Sequence, residues 1–238
     1  MKKPKLVVLT GAGVSAESGL GTFRDAGGLW DKYPVMDVAS ADGFQRNPKL
    51  VHEFYNTRRR ELLGVKPNAA HEGLRELEQW YDVEIITQNV DNLHERAGSS
   101  SVLHLHGELM KVRSMRNEAC VYTLPDPSLT TPDSTDPLET TVNTRDRSGD
   151  PVRPHIVFFQ EAVPNIEPAI ELMEEADIVV IIGTSMNVYP AAGLVNYVRR
   201  GIPIYYIDPN PAPVPDSITV IRRPATEGVR QLLDILRP

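Results

Sequence analysis

The apolar residues of this chain fall into strand-length runs that are continuous rather than alternating. Lys5–Thr10, Val83–Thr87, Val102–Leu105, His155–Phe159, Asp177–Ile182 and Pro203–Asp208 are such runs. A strand solvated on one face alternates, so unbroken hydrophobicity means cover on both faces, as in a parallel sheet. Helix-period segments lie between them. Asn47-Pro48 reads as an N-cap followed by proline in the first turn, with Leu50, Val51, Phe54 and Leu62 on one stripe. Asn68 caps a second helix whose apolar face is Ala70, Leu74, Leu77 and Trp80. Ile166–Ala176, Ala191–Arg199 and Thr226–Leu236 complete the set. The alternation predicts an α/β fold with a doubly wound, Rossmann-like parallel sheet.

Two stretches break the alternation. Residues 32–66 insert helical material without a strand. Residues 113–150 are dominated by Thr, Pro and Asp, a composition that favours turns and cannot build a core alone. Together they predict a smaller helical and loop-rich domain beside the large one, and 238 residues with 41% apolar content suffice for both. The balance of 25 Lys and Arg against 32 Asp and Glu, net −7, argues against a broad nucleic-acid face. The single cysteine, Cys120, excludes an internal disulfide and a zinc site of several cysteines within the chain. Neither a signal peptide nor a membrane span is legible, so the expectation is a cytoplasmic protein that contacts no membrane, and a monomer.

Four clusters carry chemistry. Thr10-Gly-Ala-Gly-Val-Ser-Ala-Glu-Ser-Gly19 follows the first strand directly. Gly11 and Gly13 permit a tight turn and close backbone approach to a pyrophosphate, Ala16 is the third small position, and a helix starting near Gly13 would offer N–H groups. The alternative is a plain strand-to-helix turn. Thr87-Gln-Asn-Val-Asp-Asn-Leu-His94 starts where the next strand ends, which sets Gln88, Asn89 and Asp91 where ligands bind in open α/β sheets. Their amides and carboxylate suit a ribose or a carboxamide; alternatively Asp91 or Asn92 merely caps a helix. Leu103-His-Leu-His-Gly107 puts His104 and His106 on one face if the strand runs that far. His106, at the strand end, fits a general base better than a metal ligand, and His104 reads as a core histidine. Finally, Tyr55 and Arg58 share a helix face, where a guanidinium and a phenol can grip a carboxylate. A solvated basic run, covering at least one of Arg59 and Arg60, is the plain alternative.

Taken in order, Gly11–Gly19, Thr22-Phe-Arg24, Gly28-Leu-Trp30, Thr87–His94, His106-Gly107, Phe159-Gln-Glu161, Gly183-Thr-Ser185 and Val188–Ala192 resemble the sirtuin family of NAD-dependent protein lysine deacylases. The resemblance implies NAD as cofactor and acylated protein lysines as substrates. It implies a Rossmann-like NAD-binding domain of residues 1–31, 67–112 and 151–238, with 32–66 and 113–150 as the small domain. By position, Gly11, Ala12, Gly13, Ala16, Phe23, Arg24, Gln88, Asn89, Asp91, Gly183, Thr184, Ser185, Asp208 and Ala225 would bind the dinucleotide. His106 and Asn89 would be catalytic, with His106 the base. Val157, Phe159, Gln160, Glu161, Val188 and Tyr189 would hold the peptide as an added strand. Tyr55 and Arg58 resemble the pair in the subgroup that removes succinyl and malonyl groups, with nicotinamide, acyl-ADP-ribose and free lysine as products.

The chain departs from the family in three places. Ser114 stands near where the first zinc cysteine would fall and only Cys120 lies in that region, so no zinc is expected. Asp208 replaces an asparagine at the adenosine ribose; it can accept from two ribose hydroxyls and would repel a 2′-phosphate, which favours NAD over NADP. Gln160 replaces a glycine in the peptide strand. Two other functions compete: an ADP-ribosyltransferase or NAD hydrolase, and a non-catalytic NAD or ADP-ribose sensor.

Overall fold

The structure, a computed structural model, describes residues 2–21 and 33–238. Its first half runs β1 (Lys5–Thr10), α1 (Gly13–Ala16), α2 (Val35–Val38), α3 (Ala41–Arg46), α4 (Pro48–Leu63), α5 (Ala69–Leu77), β2 (Asp82–Thr87), α6 (Leu93–Arg96) and β3 (Val102–His104). There follow β4 (Gly107–Ser114), β5 (Val121–Thr123), β6 (Val152–Ile156), α7 (Ile166–Glu175), β7 (Ile178–Ile182), a 3₁₀ helix (Ala191–Tyr197), β8 (Ile204–Ile207), β9 (Thr219–Ile221) and α8 (Ala225–Leu236).

Six strands form one parallel sheet in the order β3-β2-β1-β7-β8-β9. Strand β1 shows why its sequence is continuously apolar. Leu6 and Val8 pack on one face with Leu74 and Leu77 of α5 and Val229 and Leu232 of α8. Val7 and Leu9 pack on the other with Ala169 and Met173 of α7 and Leu194 of the 3₁₀ helix. All four β1 residues are fully buried, as successive side chains of a doubly covered strand must be.

The expected strand at 155–159 is a correction. The run instead contributes β6, which ends at Ile156 and pairs antiparallel with β4 in a separate sheet ordered β5-β4-β6. Val157 to Phe159 then leave that sheet: Val157 N donates to His106 O and Phe159 N to Ala39 O. The run is apolar because Phe158 sits in a third cluster with Phe44, Phe54, Tyr55 and Leu109, not because it joins the main sheet. Strands β4, β5 and β9 have no counterpart in the sequence reading. In β4 the charged residues pair with one another and with a neighbour, Lys111 with Glu108 and Arg113 with Glu161, so the strand carries no clean alternation. The second sheet crosses residues 112 and 151, where the sequence reading divides the chain.

Both helix caps fall where the sequence puts them. Asn47 accepts from Leu50 N, with Pro48 opening α4. Asn68 accepts from Ala70 N while His71 Nδ1 accepts from Asn68 N. Trp80 lies beyond α5, which ends at Leu77.

The turn-rich insertion has a small cluster of its own, Val112, Tyr122, Leu124 and Val152 with half-buried Cys120, Leu129 and Leu138 against it. It is also held by one face of α4. His52 Nδ1 meets Thr140 Oγ1 at 3.0 Å. Asn56 donates to Thr140 O at 2.8 Å and accepts from Thr140 N at 3.1 Å. Arg59 donates to Leu109 O at 2.9 Å and to Asn56 Oδ1 at 2.6 Å. Arg60 is the solvated residue of the basic run, and Arg59 is fully buried. Burial draws Arg59 down to about 10, so it stays charged at neutral pH. Among the described residues no carboxylate pairs with it, and carbonyl and amide oxygens carry its solvation instead.

The histidines set the acid limit of this fold. Burial lowers His52 and His71 to about 4 and lowers His94, His106 and His155 as well. In the unfolded chain these groups protonate near pH 6.5. The unfolded state therefore binds more protons below that pH, and stability is lost as pH falls. His104, the one raised histidine, has the opposite sign: its contribution is present at low pH and is lost as pH rises. Denaturant melts taken from pH 8 to pH 5 are expected to show a net loss, with roughly 2 kcal/mol from each of His52 and His71. His52→Gln should flatten that slope; a slope unchanged by the substitution would show that His52 does not drive it.

Candidate active site

The site begins where two backbones touch. Strands β1 and β7 are neighbours at the centre of the sheet, and the strand order reverses between them, so a crevice opens beyond Thr10 and Ile182. Gly11 N donates to Ile182 O at 3.0 Å and Gly13 N to Gly183 O at 2.9 Å. A Cβ on Gly13 would lie 2.6 Å from Gly183 Cα. Gly183 has φ +60, and a Cβ there would lie 2.5 Å from Val14 N. The glycines serve this close approach. The helix starts at Gly13 as the sequence suggests but is a single turn, and the N–H groups of Gly11 and Gly13 are spent on Ile182 O and Gly183 O.

A cavity of about 670 Å³ opens from this contact. Gly11, Ala12, Gly13, Ala16, Gly183, Thr184, Ser185, Asp208 and Ala225 line it, as do Gln88, Asn89 and His106. Tyr55, Arg58, Val157, Phe159, Gln160, Glu161, Val188 and Tyr189 line it too. Asp91 does not; it borders a smaller cavity with Ser15, Asn89 and Arg58. Phe23 and Arg24 lie outside the described residues.

The polar loop after β2 is fixed by its own hydrogen bonds. Gln88 Nε2 donates to Thr184 Oγ1 at 3.1 Å, linking the ends of β2 and β7. Asn89 Nδ2 donates to Gly11 O at 3.1 Å and to Ser15 Oγ at 3.2 Å. Asp91 accepts from Ser15 Oγ and from Leu93 N, both at 3.0 Å. The capping alternative therefore holds for Asp91 alongside its place beside Asn89, while Asn92 makes no side-chain cap. Burial pushes the Asp91 carboxyl up. Ser15, which also reaches His71 Nε2 at 3.5 Å, joins the two motifs. Sequence reading gave it no role, although it lies inside the glycine-rich turn.

Strand β3 stops at His104, so the two histidines are not successive residues of one strand face. His104 Nδ1 meets Asn89 O at 2.9 Å and its Nε2 meets Glu95 Oε1 at 2.7 Å. Burial opposes the charge, but the Glu95 carboxylate wins and His104 is held above its ordinary value. Glu95, His104 and Glu108 bring possible ligand atoms within 4.8 Å of one another. The group is satisfied as an ion-pair set, since Glu108 already holds Lys111 at 2.7 Å. His106 differs. Its Nδ1 meets Gln88 O at 3.0 Å. A carbonyl can only accept, so Nδ1 carries the hydrogen and Nε2 keeps the lone pair. Burial lowers His106 below its ordinary value, leaving a neutral imidazole on the cavity wall at pH 7.

Tyr55 and Arg58 face the same cavity from α4. Tyr55 is buried, stacked on Phe158 with ring centroids 6.1 Å apart, and burial pushes its phenol up, so the hydroxyl stays a donor. Arg58 Nη1 pairs with Glu61 at 2.6 Å, which leaves other guanidinium donors for a ligand. Glu161 is engaged inside the wall: Arg153 Nη1 at 2.5 Å, Arg153 Nη2 at 3.1 Å and Phe158 N at 2.8 Å all donate to it. Arg153 in turn lies 4.0 Å from the Phe158 ring centroid. Neither Arg153 nor Arg113 stood out in the sequence, because isolated arginines in a strand give no local signal. Asp208 closes β8 and accepts from Asn210 N at 2.8 Å.

These features have known counterparts. The chain is 56% identical over 237 residues to the NAD-dependent protein deacylase of Bacteroides thetaiotaomicron, covering 98% of both chains. It is 54% identical over 209 residues to the NAD-dependent protein deacylase of Aggregatibacter actinomycetemcomitans, covering 88% of this chain and 95% of that one. The fold superposes on the crystal structure of a Sir2 homologue–NAD complex with a TM-score of 0.81 and 36% identity, over 99% of this chain and 90% of that one. The Sir2 family pattern matches residues 11–190, from the glycine-rich turn through the β7 loop. With motif, fold and relatives in agreement, the chain belongs to the Sir2 family.

Proposed function

We propose that this protein uses NAD to remove acyl groups from lysine side chains of proteins, and that succinyl- and malonyl-lysine are better substrates than acetyl-lysine. The observation that carries the reading is the single cavity on which a neutral histidine, a strand-end amide pair and the Gly11–Gly13 and Gly183–Ser185 turns all open. The residues fit the cofactor. The glycine contact leaves the crevice floor without side chains, and the Asp208 carboxylate suits ribose hydroxyls. When bound, NAD supplies the electrophilic ribose carbon from which nicotinamide departs and the ADP-ribose that takes the acyl group.

The protein's own contribution is positioning and proton transfer. Gln88, tied to Thr184, and Asn89, tied to Gly11 and Ser15, would hold the ribose and nicotinamide ends, their amides being fixed before any ligand arrives. His106 would accept a hydroxyl proton at Nε2, with Gln88 O fixing its tautomer. The acyl-lysine would enter along the wall of Val157–Glu161 and Val188–Tyr189, its peptide lying extended. At the acyl end, Arg58 and the Tyr55 hydroxyl would receive a terminal carboxylate.

We further propose that no zinc is needed. The support is the way α4 grips Thr140 through His52, Asn56 and Arg59, which gives the insertion an anchor made of hydrogen bonds.

Four measurements test these readings. One peptide carrying acetyl-, succinyl- or malonyl-lysine is incubated with enzyme and NAD and followed by mass spectrometry. Faster loss of the acidic groups with acyl-ADP-ribose formed is expected, and Arg58→Met should abolish that preference while deacetylation survives. Nicotinamide release without any acyl peptide would favour the transferase or hydrolase alternative instead. His106→Asn should lower kcat by about 10²- to 10⁴-fold, the usual worth of a general base. In the parent enzyme the acid limb of kcat/KM should fall below pH 6.5, because His106 must lose its proton to act and burial helps it do so. Elemental analysis of purified protein should give far less than one zinc per chain; a stoichiometric metal would overturn the zinc-free reading.

A further inference from the structure

The wall of the cavity contains a tight turn of a kind that favours glycine, and this chain gives the position to glutamine. Glu161 N donates to Phe158 O at 3.0 Å, closing a four-residue turn, and Gln160 occupies its third position at φ +78. Residues with a Cβ are strained there. Such strain persists only where surrounding contacts enforce it, and it gathers at functional surfaces. Here the enforcing contacts are visible. Asp42 N donates to Gln160 Oε1 at 3.2 Å, and Gln160 Nε2 donates to Asp42 Oδ2 at 2.8 Å. Both ends of the amide are thus fastened to one residue of α3, 118 positions earlier in the chain.

The strap extends a short ladder. Phe159 N donates to Ala39 O at 2.8 Å and Ala41 N donates to Phe159 O at 3.1 Å. Glu161, on the other side of the turn, is fixed separately by Arg153. The ladder holds Phe159 through its backbone, and the strap adds the tie on Gln160; together they fix the Phe159–Gln160 corner, which carries the Phe159 ring, 45% exposed on the cavity wall.

We propose that Gln160 is a positioning residue for the acylated peptide: fastened to Asp42, it fixes the Phe159–Gln160 corner against which the peptide lies. The proposal rests on the deacylase reading and deepens it. An extended peptide that adds to an edge needs that edge held still. The nucleotide side of the cavity is built by other elements, so loss of the strap should fall on the peptide and not on NAD.

The test is steady-state kinetics with one acyl peptide and NAD on the full chain and four variants: Gln160→Ala, Asp42→Ala, the two combined, and Gln160→Gly. Each single alanine variant should raise KM for the peptide roughly three- to ten-fold, the worth of one or two partly exposed hydrogen bonds. KM for NAD should stay within about two-fold, since no strap contact reaches the nucleotide side. The combined variant should be no worse than either alone, because both break the same strap. Gln160→Gly relieves the backbone strain, so it should melt no lower than the parent and still show the raised peptide KM; that separates positioning from folding. An unchanged peptide KM in either alanine variant, additive effects, or an equal rise in KM for NAD would each overturn the proposal. A parent enzyme without acyl-dependent turnover would instead fail the deacylase reading itself, and the proposal with it.

Discussion

The contact between the Gly13 and Gly183 backbones governs the site. It joins the turns after β1 and β7 at the one place where the sheet's strand order reverses, and it leaves no room for a Cβ on either side. Because the two turns touch, Gln88 can reach Thr184 and Asn89 can reach Gly11. The β2 loop is thereby fastened to both. His106 is fixed one step further out, through the carbonyl of Gln88. Each functional side chain inherits its position from the one before, so the crevice is organised from its floor upward. Pre-arranged polar groups of this kind need little reorganisation when a ligand arrives.

The turn-rich insertion is organised by a different constraint. It has too few apolar residues for an independent core, and its cluster of four buried side chains borrows Val112 and Val152 from the second sheet. What anchors it to the helices is a charged group that, among the described residues, has no carboxylate partner. The guanidinium of Arg59 donates to Leu109 O and Asn56 Oδ1 and approaches Thr140 Oγ1. Removing any of these acceptors would leave a buried charge underserved, a costlier fault than losing a neutral hydrogen bond. The arrangement thus fixes a loop that hydrophobic burial alone could not fix. The same helix turns Tyr55 and Arg58 toward the cavity, so the anchor and the acyl end of the cavity share one rigid element.

Much of this was legible in the sequence where a signal is local. Continuous apolar runs marked β1, β2, β7 and β8, since double burial forbids alternation, and Asn47 and Asn68 marked their helix starts through capping chemistry. The strand at 155–159 was misassigned because apolar continuity reports burial and not the partner: Phe158 is buried against Phe44 and Tyr55, outside any sheet. β4 was missed because its charged residues break the alternation, and what neutralises Arg113 there is Glu161, a pairing that no window of sequence reveals. At the site, residue types at strand ends pointed to Gln88, Asn89 and His106. The glycine spacing pointed to a tight turn, and the structure has one; that the backbone it meets is the Gly183 turn is a contact across the sheet that no local spacing reveals. Ser15 and Asp42 act through distant partners, Asp91 and Asn89 for the one and Gln160 for the other, and nothing adjacent to them in the chain announces it.

His104 and His106 show how two like side chains, one residue apart from being neighbours, are given opposite proton affinities. Both are largely buried, and burial alone would lower both. Glu95 stands 2.7 Å from His104 Nε2 and reverses the effect there. His106 has a carbonyl on Nδ1 and, among the described residues, no carboxylate paired with it, so burial prevails. The division has a structural use. A protonated His104 can donate from both nitrogens, bracing Asn89 O with one and holding Glu95 with the other. A neutral His106 keeps one nitrogen free of hydrogen and able to take a proton from a ligand. Both carbonyls, of Gln88 and of Asn89, belong to the loop that ends β2, so the loop is braced by one histidine and in turn orients the other. Exchanging the Glu95 carboxylate for a neutral amide would let burial govern both rings, and the support beneath Asn89 would weaken together with the charge of His104.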